Sequence, residues 1–323
     1  VAARVSQIKR TTGDPYDGTA ILYRTNAQSR VLEESLRKRN VPYRIYGGLS
    51  FYQRKEVKDA IAYFRMSLNP DDDEALRRII NFPARGIGDT TLGKLTRAAM
   101  DAGVSLWGVI TGLDRYDCGL NAGTRNKLQD FASLIKGFIE LNAQGRDAYD
   151  VARSIIDRTG LYKMLVHDST PESISKQENL QELLKGVKEY VEAMVEQGRY
   201  DVSLGSFMTE VSLATDQDIN NGVDEESVTM MTVHAAKGLE FDNVFIVGVE
   251  EDLFPSAMAA QSAAEVEEER RLLYVAITRA RKFCMISYAT QRFRNGQTVF
   301  PRPSRFIGDI DTRYLHISGG SDF

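Results

Sequence analysis

The chain has 323 residues, of which 42% are hydrophobic and 27% are charged, and its formal net charge is −4. This composition is typical of a globular protein of about two domains, and it excludes a disordered chain and a strongly basic nucleic-acid coat protein. No apolar run approaches the roughly 20 residues of a membrane-spanning helix, and the N-terminus has no signal-peptide pattern, so we expect a cytoplasmic protein with no membrane partner.

The first part of the chain alternates strands and helices. Residues 1–5 look like the interior of a helix, which suits a piece of a longer protein. A strand is predicted at 19–23, an amphipathic helix at 26–39, a strand at 43–46 and a helix at about 55–67. Strand, helix and strand in this order predict a βαβ unit, and therefore a parallel sheet.

The middle of the chain, from about 121 to 216, has helical periodicity and few β-branched runs. Strands return at 228–233 and 243–249, followed by a helix at about 264–281 and a strand at 283–288. We therefore predict the α/β class: a parallel sheet with helices on both faces, interrupted by an all-helical subdomain. The sheet domain comprises residues 1–122 and 217–323, and the inserted subdomain comprises 123–216.

Two arginines are candidate phosphate ligands. Tyr23 and Arg24 end a predicted strand, where α/β sheets place ligands; the ring can stack on a base and the guanidinium can offer two donors to phosphate. The alternative is a core tyrosine and a solvated arginine. Arg279 follows an apolar helix that would hold it stiffly, as an arginine finger requires. The alternative, an ion pair with the 267–269 acidic cluster, suits Arg270 and Arg271 better.

The strand predicted at 228–233 ends in a run of chemically active side chains. Thr232, His234, Lys237 and Glu240 follow one another closely, with a turn-forming glycine at 238. Such a strand end is typical of the edge of a ligand site in an open α/β sheet. A single histidine at a strand end is more often structural.

Two glycine-containing loops are candidate DNA contacts. In Arg85-Gly86-Ile87-Gly88 the glycines would let backbone N–H groups approach a phosphate at the start of a helix; an ordinary capped turn is the alternative. Thr159-Gly160, within residues 157–162, is a less distinctive loop of the same kind.

The sequence predicts no metal site. Residues 88–95 have phosphate-loop spacing, but Leu95 stands where Ser or Thr must bind Mg²⁺, and no apolar strand ends in an Asp-Glu pair. The two cysteines, Cys118 and Cys284, have neither metal-binding nor disulfide-framework spacing, which suits a reducing cytosol.

These segments together resemble the UvrD/PcrA/Rep family of superfamily 1 DNA helicases, from about residue 20 to residue 306. Further matching pieces are Gly47-Gly48-Leu49-Ser50-Phe51-Tyr52-Gln53-Arg54-Lys55-Glu56 and Pro303-Ser304-Arg305-Phe306. The resemblance implies the C-terminal half of an ATP-dependent 3′-to-5′ helicase: a second RecA-like domain interrupted by a helical insert.

The resemblance also implies roles for individual residues. Tyr23 would pack on the ATP base and Glu240 would bind the ribose, while Lys237 would bridge towards the ATP cleft. Arg24 and Arg279 would contact the γ-phosphate. The residues expected to contact DNA are Thr232 and His234 on the single-stranded track, and Arg85, Gly86, Ile87, Gly88, Thr159 and Gly160 in the two loops.

The expected ligands and partners follow from the same resemblance. ATP and Mg²⁺ would bind to the complete enzyme, with the Mg²⁺ ligands outside this chain, so the chain alone is not expected to catalyse hydrolysis. The partners would be single-stranded DNA, a duplex junction, a first RecA-like domain, and repair or replication proteins docking on the insert. Two alternatives stay open: a non-catalytic DNA-binding or protein-docking module, and part of a helicase–nuclease for end resection.

Overall fold

The structure, a computed structural model, describes residues 1–168, 170–220, 226–294 and 297–317. The chain forms two compact units. The sheet unit comprises Val1–Ser50 and Asn220–Phe323, and the helical unit comprises Phe51–Ile219. Residues 221–225, 295–296 and 318–323 of the predicted third segment lie outside the described residues.

The first segment of the sheet unit holds two helices and two strands. These are α1 (Ala2–Thr12), β1 (Thr19–Tyr23), α2 (Ser29–Arg37) and β2 (Tyr43–Ile45). Before α2, Thr25 and Gln28 form a capping box around a short 3₁₀ turn, which explains why the helical periodicity begins at Asn26. Helix α1 ends at Gly13, whose φ of 74° is the left-handed conformation that favours glycine at a helix end.

The helical unit is built from nine described helices. They are α3 (Lys55–Leu68), α4 (Asp73–Ile79), α5 (Asp89–Ala102), α6 (Leu106–Thr111), α7 (Ala122–Ala143), α8 (Ala148–Thr159), α9 (Leu161–Val166), α10 (Pro171–Glu196) and α11 (Leu204–Asn220). Side chains preceding five of them accept a backbone N–H of the first turn: Asp72, Ser105, Asn121, Asp147 and Thr170. Across the described ranges, no helix is both long and apolar enough to cross a membrane.

The sheet unit resumes after the helical unit. Its second segment contains β3 (Val228–Thr232), β4 (Phe241–Val247), α12 (Ala263–Ile277) and β5 (Ala280–Ser287). A short antiparallel hairpin follows, formed by β6 (Arg292–Arg294) and β7 (Gln297–Val299).

The central sheet has five strands in the order β2-β3-β1-β4-β5, and all of its pairs are parallel. Tyr23 at the end of β1 lies opposite Thr232 on one side and Val247 on the other. The carboxyl ends of β1, β3 and β4 therefore lie at one edge of the sheet.

Helices cover both faces of this sheet, as predicted. On one face Leu22 and Ile246 pack with Leu273 of α12. On the other face Ile21 packs with residues of α1 and α2, including Val5. Because both faces are covered, the strands are nearly continuous apolar runs rather than alternating ones.

The division of the chain differs from the predicted one at its first boundary. Residues 51–122, which the sequence reading assigned to the sheet domain, belong to the helical unit. The physical reason is that the buried residues of α3, among them Tyr63 and Phe64, form one core with Leu76 of α4 and Phe131 of α7. Helix α3 therefore belongs to the core of the helical unit.

We expect Leu22→Ala to lower the free energy of unfolding of the sheet unit by about 2–5 kcal/mol, because it leaves a cavity at a fully buried position of the central strand. Urea unfolding followed by circular dichroism measures this change. The matched control, Leu49→Ala, alters an exposed leucine of the same unit and should leave the midpoint nearly unchanged. Equal effects of the two substitutions would contradict the assigned core.

Candidate functional site

Three predicted site residues meet at the carboxyl edge of the sheet. Arg24 directly follows β1, and Thr232 ends the neighbouring strand β3. The pairing continues past the strands, because the Val233 N–H donates to the Tyr23 carbonyl at 2.9 Å. The chain then turns: the Thr232 hydroxyl accepts the Ala235 N–H at 3.3 Å, and His234 begins a short 3₁₀ turn.

Arg24 is held by a carboxylate from the helix on the same face of the sheet. Its Nε lies 3.0 Å from both carboxylate oxygens of Glu269 in α12, and its Nη2 lies 2.5 Å from Oε1. The side chains of Arg24 and Glu269 are 22% and 8% exposed, so the pair is largely shielded from water. Charge-assisted bonds of this kind fix the plane of a guanidinium as well as its position.

His234 lies in the electrostatic field of this pair. Its pKa is lowered from the ordinary value of 6.5, first by partial removal of water and then by the positive charge of Arg24, while Glu269 acts in the opposite direction. The imidazole is therefore neutral at neutral pH. Because the unfolded chain binds this proton more tightly, the contribution of His234 to stability is lost as the pH falls below 6.5.

Two other predicted residues lie at the opposite, amino edge of the sheet. Glu240 immediately precedes β4, and Arg279 immediately precedes β5; the first residues of these strands, Phe241 and Ala280, lie opposite each other. Arg279 is fixed by the carbonyls of Val275 and Leu239, each at 3.0 Å from a guanidinium nitrogen.

Glu240 and Lys237 lie at the surface of the same connection. Glu240 accepts from the Nε of Arg281 at 3.0 Å. Both of these side chains are more than half exposed, so the ion pair contributes little to stability and leaves Glu240 accessible. Lys237 is exposed on the turn between the two edges, followed by Gly238 with a φ of 84°.

Arg24 and Arg279 lie on the same face of the sheet but start from different edges. The residues of β4 opposite Ala280 and Tyr23 are Phe241 and Val247, which are six steps apart along the strand, or about 20 Å. Both guanidinium groups bind α12: that of Arg24 binds the Glu269 carboxylate, and that of Arg279 binds the Val275 carbonyl. Glu269 and Val275 are about 9 Å apart along the helix axis. The structure therefore brings the two arginines to one helix without bringing them into contact.

The structure does not support stacking of Tyr23 on a nucleotide base. Its side chain is 1% exposed and belongs to the core on the α1 and α2 face, with Ile21 and Val5. Successive residues of a strand point to opposite faces, and this alternation sends Tyr23 away from α12. In this conformation the ring fills the core and offers no free face to a ligand.

In the helical unit, the loop before α5 is shaped by one asparagine. The side-chain carbonyl of Asn81 accepts the backbone N–H groups of Arg85 and Ile87, at 2.9 and 3.1 Å. Ile87 is buried, whereas Gly86 and Gly88 are exposed. Gly86 has a φ of 70°, which turns the backbone outward just before the helix begins.

The side chain of Arg85 packs within the helical unit, so the predicted contact of this loop with DNA would fall to its backbone. Its guanidinium donates to the Tyr63 hydroxyl at 2.7 Å and lies over the rings of Tyr63 and Phe131. Burial raises the pKa of Tyr63 to about 12, so the phenol stays protonated and donates to the Phe82 carbonyl at 2.6 Å. Arg85 therefore holds the loop in place.

The two predicted DNA-binding loops are neighbours. Arg85 approaches the Thr159 carbonyl at 3.5 Å, and Gly160 joins α8 to α9 with a φ of 81°. Ile87 and Thr159 are both buried, so their side chains are not presented to a ligand in this conformation.

Sequence reasoning missed the cation beside this loop. Lys127 of α7 is exposed, and its Nζ donates to the Gly86 carbonyl at 3.3 Å. No local signal could have identified it, because it lies 41 residues away along the chain. Over the described ranges, no group of three or more His, Cys, Asp or Glu side chains is arranged to hold a metal ion.

Comparisons with known proteins identify the family of the chain. A family profile described as "UvrD-like helicase C-terminal domain" matches residues 1–291. Proteins named ATP-dependent DNA helicase PcrA from Staphylococcus aureus (strain MRSA252) and Bacillus subtilis (strain 168) are each 40% identical to the chain, over 313 and 315 residues. These alignments cover 95% and 96% of this chain but 42% of each relative, so the chain spans less than half the length of these relatives.

We expect Arg24→Gln to raise the pKa of His234, because it removes a positive charge and releases the opposing carboxylate of Glu269. The chain has three histidines, so a proton NMR titration can follow each imidazole, with His234→Gln assigning the signal. Arg313→Gln, which alters an exposed arginine paired with Asp311, is the control and should leave His234 unchanged. An unchanged or lower pKa of His234 in Arg24→Gln would contradict the described arrangement of Arg24 and His234 at the carboxyl edge.

Proposed function

Because this chain belongs to the UvrD-like helicase C-terminal domain family, we propose that it forms the second RecA-like domain and helical insert of an ATP-dependent 3′-to-5′ DNA helicase. The observation that carries the proposal is the carboxyl edge of the sheet, where Arg24 and His234 lie one β-strand apart. Coupling of ATP hydrolysis to strand movement requires a group that binds phosphate close to a group that binds DNA. In this proposal, Arg24 is the first group and His234 is the second.

In the proposed cycle, ATP binds between this unit and a first RecA-like domain. Arg24 and Arg279 contact the γ-phosphate, and Glu240 contacts the ribose. A permanent, planar cation suits this role because charge on the phosphoryl oxygens must be stabilised without rearrangement. The Mg²⁺ that accompanies ATP is assigned to the partner domain. Hydrolysis removes the shared anion, and the two domains then separate.

Thr232 and His234 provide the proposed contact with single-stranded DNA. The low pKa of His234 supports this role, because a neutral imidazole can stack on bases or exchange hydrogen bonds without fixing the strand through charge. Lys237 lies on the turn that leads from this contact towards Glu240. Closure around ATP would thus be transmitted to the DNA through one short connection.

We assign the helical unit to duplex DNA beside the unwinding junction. The support is the exposed Gly86, whose φ is 70°, the exposed Gly88 that precedes α5, and Lys127 next to Gly86. Backbone N–H groups at a helix start together with one lysine suit a phosphate and read no base sequence. We also propose that repair or replication proteins dock on this unit and that the protein is cytoplasmic.

In the longer enzyme, we expect Arg279→Ala to abolish ATP-driven unwinding, with ATP hydrolysis falling about 10³–10⁵-fold, the usual effect of removing an arginine finger. DNA binding should stay largely intact. Strand-displacement and ATPase assays measure the first two quantities, and fluorescence anisotropy measures the third. The control Arg313→Ala alters an exposed arginine whose partner is Asp311. Near wild-type unwinding by Arg279→Ala would contradict the assignment of Arg279 to the ATP site.

A DNA-binding function of the chain by itself is the second candidate, favoured by the ordered loop before α5. We expect the chain to bind duplex DNA with strong salt dependence, and Lys127→Gln to reduce the slope of log affinity against log salt by about one. Lys188→Gln is the control, since that lysine lies over Tyr149 at the opposite end of α8 from Thr159. Equal slopes for wild type and Lys127→Gln would exclude this contact.

A further inference from the structure

The ion pair between Arg24 and Glu269 leaves one side of the guanidinium uncommitted. The carboxylate of Glu269 takes the edge formed by Nε and Nη2. A guanidinium has five N–H donors in a fixed fork, so the terminal edge formed by Nη1 and Nη2 still has donors available. With 22% of the Arg24 side chain exposed, that edge can meet an incoming anion while Glu269 stays in place.

Glu269 is well suited to fix another side chain and poorly suited to bind a ligand itself. It is 6% exposed, and in the described part of the chain its hydrogen bonds go to Arg24. It lies within α12, whose neighbouring residues Leu273 and Ala276 are buried against the sheet. Its position is therefore set by the rigid packing of a helix on a sheet.

We propose that Glu269 is the positioning residue for Arg24, holding the guanidinium so that its terminal edge faces the γ-phosphate of ATP. This inference rests on the proposed function of Arg24. Without Glu269, the long side chain of Arg24 would sample several rotamers, and the phosphate would have to order it on binding. A side chain ordered in advance binds the transition state without that entropic loss.

The neighbouring glutamate provides a matched control. Glu268 is largely exposed and pairs with Arg271, which is equally exposed, so its removal should affect neither Arg24 nor phosphate binding. The graded variants Glu269→Gln and Glu269→Asp keep an acceptor near Arg24. If Glu269 were needed only for stability, its substitutions would lower the unfolding midpoint in proportion to the activity lost. If Glu269 positions Arg24, its substitutions lower activity only where Arg24 is present.

The first test uses this chain and does not depend on any enzymatic activity. In ¹⁵N relaxation measurements, the Nε–H of Arg24 should be ordered in wild type and in Glu268→Ala, mobile in Glu269→Ala, and again ordered in Glu269→Gln. Circular dichroism checks that each variant is folded. If Arg24 is as ordered in folded Glu269→Ala as in wild type, the proposal is overturned, whatever the longer protein does with ATP.

The second test is a double-mutant cycle in the longer enzyme, measured as DNA-stimulated ATP hydrolysis. Glu269→Ala should lower kcat/KM about tenfold, the order expected for releasing one rotamer-rich side chain, and should add nothing in an Arg24→Gln background. Additive losses, or tighter ATP binding by Glu269→Ala, would overturn the positioning role. Absence of hydrolysis in wild type would refute the proposed function, while an ordered Arg24 in the first test would still support the pairing.

Discussion

The parallel pairing of β1 with both β3 and β4 determines where the candidate residues of the sheet unit lie. Because Tyr23, Thr232 and Val247 are in register, Arg24 and the turn at His234 must be neighbours at one edge. The same register puts Glu240 and Arg279 at the other edge. Helix α12 then spans both edges on one face, which is how two arginines 255 residues apart come to bind a single helix.

Much of the sheet could be predicted from the sequence, because strands covered on both faces are short apolar runs bounded by polar turns. The predicted strand at 19–23 matches β1, and the predicted helix at about 264–281 overlaps α12 but runs on into the first residues of β5. The strand order could not be predicted: β3 separates β1 from β2, although β3 follows both of them by more than 180 residues. The face of the sheet to which Tyr23 points could not be predicted either, because it depends on tertiary packing and not on the local sequence pattern.

The helical unit was harder to predict for the same reason. Helix α3 has the amphipathic pattern of a crossover helix, and only its partners in α4 and α7 reveal which core it joins. The loop at Arg85 was predicted to offer its backbone to a phosphate, and the structure adds that the Arg85 side chain is bound by the Tyr63 hydroxyl and lies over the rings of Tyr63 and Phe131. Lys127 became a candidate only through its distance to Gly86. Local sequence specifies a loop; tertiary contacts decide which of its groups remain available.

The connection from Thr232 to Phe241 has a mechanical consequence. It runs from the end of β3 to the start of β4, about 20 Å along the sheet and two strand spacings across it, or about 22 Å in all. Nine peptide steps, three of them shortened by the 3₁₀ turn at His234–Ala236, reach at most about 28 Å. With roughly 6 Å of chain length to spare, this connection restricts how far the turn at His234 can move while β3 and β4 both stay in the sheet.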